Sequence, residues 1–231
     1  MSVDTLAVVA QKGGSAKTTV SVHLAVQALR EGRKVAIIDI DPQASATGWH
    51  RVRAQQSPAL AAVTSAELSD AVEAARRDGF DLILIDTPSH TASAALAAIR
   101  AAQFVLIPCQ PSAIDIAALG ATTDMLKAAE RPGAVVLTRT RPGPDMEQAT
   151  AAVKATGLAL APSVGDRVAY KRAVASGQAV VEFEPEGKAA AEIKKLWNWI
   201  NHETEDIHGL RGNRNRGARK ARTTGVSTGQ G

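Results

Sequence analysis

Short apolar runs recur along the chain, each followed by a stretch in which apolar residues return every three or four positions. "TLAVVA" (5–10), "KVAIIDID" (34–41), "FDLILIDTP" (80–88), "FVLIPC" (104–109) and "AVVLTR" (134–139) are runs of strand length, and "LALAPS" (158–163) is a weaker edge candidate. Runs without polar alternation are those of strands buried on both faces. The stretches between them read as helices: from Lys17 to a stop at Gly32, from Ser65 to Gly79, then over 91–102, 113–130 and 145–157. Two more follow over 167–177 and 186–203, and in the last of these Ile193, Leu196, Trp197 and Ile200 share one face. Strand–helix alternation with right-handed crossovers predicts an α/β protein with a doubly wound, mostly parallel sheet flanked by helices. In that architecture ligands gather at the carboxyl ends of strands, where Asp39, Asp41 and Asp86 fall.

Composition narrows this picture. Small aliphatic residues dominate and only 3% of residues are aromatic, which argues against a β-sandwich or a base-stacking RNA module. No apolar run reaches membrane-span length, and the N-terminus lacks the features of a signal peptide. The single cysteine, Cys109, sits in an apolar run as an inert core thiol, and a reducing cytoplasm is expected. The five histidines show no metal-ligand spacing and are expected at the surface. Charge is unevenly placed: six basic and no acidic residues lie from Gly209 onward, so residues 1–208 carry 27 − 6 = 21 basic against 23 acidic residues. The division expected is a folded body over 1–204 and a basic tail over 205–231, disordered on its own and suited to a polyanion.

Between the first strand and first helix stands "QKGGSAKTT" (11–19). A phosphate loop needs backbone N–H groups converging on an anion, a helix N-terminus behind them, and a lysine for the β/γ-phosphates. Gly13 and Gly14 supply chain freedom, Lys17 the charge and Thr18 a hydroxyl for Mg²⁺; Ser15, Ala16 and Thr19 complete the cradle. Gln11 and Ala16 stand where the strict pattern has glycine, so the loop alone also fits a glycine-rich turn with a solvated lysine. A nucleoside triphosphatase needs in addition an acid to support Mg²⁺ and a group to position water, and Asp86 and Asp41 close strands beside the loop.

"KGGSAKTT" resembles the KGGxxKT[ST] signature of the ParA/MinD family of deviant Walker A P-loop ATPases. "DIDPQAS" (39–45) is similar to that family's switch I, "LILIDTP" to its Walker B strand and switch II, and the region from "GDRVAYKR" to "KKLW" to the C-terminal part of small DNA-partition members. The resemblance covers nearly all of residues 4–200. It implies ATP and Mg²⁺ as cofactors, Lys12 as the signature lysine reaching a partner's phosphates in an ATP-bound homodimer, and Lys17 as the lysine acting in cis. It implies Thr18 as a Mg²⁺ ligand, Asp86 as supporting that ion through water, Asp41 as positioning the attacking water, and Asp39 as assisting switch I. Ala16 departs from the common KGGxGKT form: at φ < 0 its methyl is tolerated, at φ > 0 it stores strain.

A lone cysteine argues against the iron–sulfur branches of this superfamily, and the single tyrosine, Tyr170, against its tyrosine kinases. The basic end has no apolar face for membrane insertion. Arg211, Arg214, Arg216, Arg219, Lys220 and Arg222, with Arg167, Lys171 and Arg172 in the body, are the candidate DNA contacts, although a merely solubilising tail has the same composition. Slow, partner-stimulated hydrolysis driving non-specific, nucleoid-associated DNA binding, with a ParB-like centromere-binding partner that segregates a plasmid or chromosome, is the implied function. The same switch serving another cargo, or a ligase of the dethiobiotin-synthetase type, are the alternatives.

Overall fold

Seven strands pair in the order β3-β2-β4-β1-β5-β6-β7, every pairing parallel. The computed structural model describes the backbone of residues 5–223 and side chains as far as 205. In chain order the elements are β1 (Thr5–Val8), α1 (Lys17–Arg30), β2 (Val35–Asp39), α2 (Ser45–Val52), β3 (Ala59–Ala62), α3 (Leu68–Arg77), β4 (Leu82–Asp86) and α4 (Ala92–Ala101). They continue with β5 (Phe104–Cys109), α5 (Ala113–Ala128), β6 (Gly133–Leu137), α6 (Pro144–Ala155), β7 (Ala159–Ala161), α7 (Val168–Ala175), α8 (Val180–Phe183) and α9 (Lys188–Thr223).

The unalternating apolar runs are explained by two cores, one on each face of the sheet. Leu6, Val8, Ile37, Leu82 and Leu84 point toward α1, α2, α7, α8 and α9, while Ala7, Ile38, Ile83 and Ile85 point toward α3 to α6. Successive residues of a strand face opposite sides, so a strand covered on both must be apolar throughout. The expected face of the last helix packs as read: Ile193, Leu196, Trp197 and Ile200 are fully buried.

Three elements were not legible in the residue pattern. Strand β3 is "ALAA", half-exposed and without β-branched residues, and it forms because Ala36–Asp39 offers an open edge. Helix α2 carries Gly48 and spans eight residues, yet it is held by Trp49, whose ring is buried and whose Nε1 donates to the Gln178 carbonyl at 3.2 Å. The one-turn helix α8 buries Val180 and Val181 in the core, and Glu182 accepts from the Ala179 N–H at its start. Helix α9 crosses the expected end of the folded body without a break and reaches Thr223, where an unstructured tail was expected. A helix already nucleated by packing extends at one hydrogen bond per residue fixed.

The chain runs outward from β1 through β2 and β3, returns by β4, then crosses to β5 on the other side. The reversal lies at the carboxyl end of β1, the place where ligands sit in open parallel sheets. Register sets Val8 and Asp39 beside Asp86 there.

Candidate functional site

The segment from Gln11 to Ala16 leaves β1 and returns as the N-terminus of α1. Gly14 takes φ 78°, as glycine can, and Ala16 takes φ 72° at the helix N-cap. The left-handed region costs an L-residue with a Cβ roughly 1–2 kcal/mol, so Ala16 stores strain, the second of the two outcomes its sequence left open. The loop is braced from outside: Thr138 Oγ1 donates to the Ser15 carbonyl at 3.0 Å and Gln110 Nε2 to the Gly14 carbonyl at 2.8 Å. With those carbonyls turned outward, the loop N–H groups are left for an anion.

Lys17 is the charge behind this cradle. It is 6% exposed, its Nζ donates to Ser89 Oγ at 2.6 Å, and no carboxylate among the described residues forms an ion pair with it. Burial lowers its pKa, opposed by the charges of Asp86 and Asp41. A buried cation without a paired anion is costly, and a phosphate at the loop would supply that anion.

Asp86 is fully buried at the end of β4. Its two oxygens accept from Thr18 Oγ1 at 2.6 Å and Ser21 Oγ at 2.9 Å. Burial raises its pKa to about 7, with the Asp39 charge adding to the rise and the Thr18 and Ser21 hydrogen bonds and Lys17 opposing it. A dication would favour the ionised form. A hydroxyl backed by a carboxylate suits Mg²⁺, which takes few protein ligands and keeps waters and phosphate oxygens.

Asp39 has a structural task. Its carboxylate accepts from the Asp41 and Thr47 N–H groups and from Thr47 Oγ1, tying the following turn to α2. Asp41, half-buried, accepts from the Gln43 N–H and stands nearer the loop mouth, within electrostatic reach of Lys17.

Lys12 does not point at its own phosphate position. Its Nζ reaches Asp115 Oδ2 at 2.5 Å, near the start of α5; the lysine is 34% exposed and the aspartate 4%. The Ser112 hydroxyl also donates to Asp115, and Asp115 Oδ1 is buried without a partner. Beside the loop a cleft of about 290 Å³ opens, lined by Ala16, Thr19, Thr138, Arg139, Gly165 and Arg167 among others, and its mostly apolar walls suit a nucleotide base.

Not all the expected residues converge. Arg167 Nε and Nη2 donate to Glu192 Oε1 at 2.9 and 2.6 Å, and Glu192 Oε2 accepts from the Gly165 N–H and Tyr170 OH. Its guanidinium thus braces the base cleft. Lys171 and Arg172 are exposed on α7. The side chains of Arg211, Arg214, Arg216, Arg219, Lys220 and Arg222 lie outside the described residues. Cys109 is buried, with its thiol pushed up to about 12 by burial. One histidine contradicts the surface expectation: His23 is fully buried on α1, accepting from the Val180 N–H through Nδ1, because α1 is covered on every side from Val20 to Ala28. Ser89, His90, Asp115 and Glu192 belong to the site but carry no motif signal; only the position of Ser89 and His90 directly after "DTP" hinted at them.

Residues 6–180 match the CobQ/CobB/MinD/ParA nucleotide binding domain. The chain is 30% identical over 207 residues to the maintenance of carboxysome distribution protein A of Halothiobacillus neapolitanus, covering 85% of this chain and 95% of that one. It is 32% identical over 160 residues to the chromosome-partitioning ATPase Soj of Thermus thermophilus, covering 55% and 64%. Among solved structures, MinD from Pyrococcus horikoshii complexed with Mg-ADP superposes with a TM-score of 0.70 at 20% identity, covering 86% of this chain and 96% of that one.

Proposed function

The chain belongs to the CobQ/CobB/MinD/ParA family of nucleotide-binding domains as a ParA/MinD-type P-loop ATPase, and from that premise we propose that it is an ATP-driven positioning switch. ATP with Mg²⁺ closes two copies face to face, the dimer holds non-specific DNA, and an adaptor protein stimulates hydrolysis and release. The observation that carries this reading is the orientation of Lys12. A second lysine inside a phosphate loop, paired with Asp115 rather than aimed at its own cradle, is explained by a role toward the phosphates of another copy.

Within one copy the steps follow from the residues present. Loop N–H groups and Lys17 bind and orient the phosphates. Thr18, held by Asp86, would hold Mg²⁺, which would offset the negative charge developing on the phosphates. Asp41 accepts a hydrogen bond from the attacking water and aims it. Asp39 holds Asp41 in place through the turn to α2.

The cargo is a DNA locus or a protein assembly carried through an adaptor. The near full-length match to a carboxysome-distribution protein favours the second, and the match to a chromosome-partitioning ATPase keeps the first. The test is binding to arbitrary-sequence duplex DNA without nucleotide, with ADP, and with ATP and Mg²⁺, at near-physiological salt. Binding with ATP alone is expected, and Lys12→Ala should abolish both it and ATP-dependent dimers in light scattering. Equal binding in all three states would remove the switch.

A further inference from the structure

The turn after β4 places two side chains on the phosphate loop that the mechanism above leaves unused. Ser89 Oγ accepts from the Lys17 ammonium at 2.6 Å. The His90 N–H donates to the Gln11 carbonyl at 2.8 Å, which pins the turn to the start of the loop. The imidazole lies across Gly13, so close that a Cβ added there would stand 3.5 Å from His90 Nε2. Residues 89 and 90 therefore run from Lys17 to Gly13, along the edge of the cradle. His90 takes φ 60°. Such a backbone is uncommon outside glycine and, where neighbours enforce it, it concentrates at functional sites. The ring is solvent-exposed, so water reaches it.

We propose that His90 is a further catalytic residue, orienting the attacking water together with Asp41. In a loose phosphoryl-transfer transition state the protein's work is positioning and electrostatics, and the nucleophilic water is aimed by a side chain that accepts its proton in a hydrogen bond. Here the water oxygen bonds to the γ-phosphorus as the bond from that phosphorus to the bridging oxygen breaks. The bonding pair leaves with ADP, and the proton of the water ends on the phosphate product. The imidazole accepts a hydrogen bond from the water and ends the cycle unchanged. A Cβ at Gly13 would stand in ordinary van der Waals contact with the ring, so the imidazole lies directly beside the cradle. Ser89 has a complementary part: its hydroxyl occupies Lys17 until a phosphate takes over that contact, while the His90 N–H keeps the turn on the loop.

This inference rests on the ATPase reading, and its test separates the two. ATP hydrolysis by the full-length protein is measured for wild type, Asp41→Ala, His90→Ala and His90→Gln, together with ATP and ADP affinities by titration calorimetry. His90→Ala should lower kcat about a hundredfold, the low end of what a positioned proton-acceptor contributes, and leave both affinities within about twofold of wild type. His90→Gln, whose amide oxygen can accept the same hydrogen bond, should recover part of the rate. An unchanged kcat in His90→Ala while Asp41→Ala is slow overturns the role of His90 and leaves the ATPase reading intact. Equal loss of turnover and ATP affinity in His90→Ala, with no recovery in His90→Gln, also overturns it, because the ring would then be shaping the loop. Failure of wild type to bind or hydrolyse ATP overturns the ATPase reading itself.

Discussion

At the scale of single residues, Ala16 and Asp115 show how local chemistry tunes the loop. Ala16 holds φ 72° with its carbonyl accepting from the Val20 N–H at 2.9 Å. Glycine would remove the steric cost there, while adding entropy to the unfolded chain. Ala16→Gly should therefore raise stability by about 1 kcal/mol, an increase in Tm of about 2–4 °C for a chain of this size, read by thermal melting. In the proposed dimer, Asp115 would compete with a partner's phosphates for the Lys12 ammonium. Asp115→Asn keeps the shape but weakens the hold on Lys12, and should lower the ATP concentration for half-maximal dimerisation about fivefold, equivalent to about 1 kcal/mol. Light scattering across an ATP titration measures it, and an unchanged midpoint would show that the pair does not restrain Lys12.

Between elements, α1 is the hub. It carries the loop at one end, and in its middle His23 clasps α8 through the Val180 N–H. His23 Nε2 is buried without a partner, and burial lowers its pKa to about 3, against an opposing pull from Glu182. The folded state keeps this ring neutral, while the unfolded chain protonates it below about 6.5. The contribution is therefore complete above pH 6.5 and falls as pH drops toward 3, by at most about 1.4 kcal/mol per pH unit. The stability difference between wild type and His23→Asn should shrink by about 2 kcal/mol between pH 7 and pH 5, measured by urea unfolding at each pH. A second clasp joins α2 to α8: Arg53 grips both oxygens of Glu182 at 2.7 and 2.8 Å and the Gly177 carbonyl at 3.0 Å. Since α2 follows the Asp41 turn, this clasp ties that turn to the connection between α7 and α8.

For the whole molecule, charge separates body from end. With a slightly acidic body and basic residues concentrated beyond 208, the proposed polyanion contacts fall to α7 and the C-terminal segment. Each phosphate contact releases counterions, so log affinity falls with log salt in proportion to their number. The double variant Lys171→Ala/Arg172→Ala should reduce that slope for the ATP-bound protein by about 2 per protomer, with ATP-dependent dimerisation retained. DNA binding titrated from 50 to 200 mM salt reads it. An unchanged slope would move the interface off α7 and onto the six cations of the end segment.

The order and type of most elements, the parallel sheet and the phosphate loop were determined by the sequence itself. Period and chemistry are local: "LILID" is a two-sided strand wherever it sits, and "KGGSAKT" carries its own glycines, lysine and hydroxyl. Strand β3, helices α2 and α8, and the length of α9 were not legible, because "ALAA" and "SATGWHRV" have little intrinsic preference and take their form from the edge and pocket offered to them. The partners of the site were equally out of reach. Lys12 meets Asp115 across 103 positions, Lys17 meets Ser89 across 72, and His90 reaches Gly13 only once the turns after β1 and β4 lie side by side. The sequence sets which groups exist and which helix or strand bears them. Only the packing of distant segments decides which donor faces which acceptor, because that choice depends on distances the linear order does not contain.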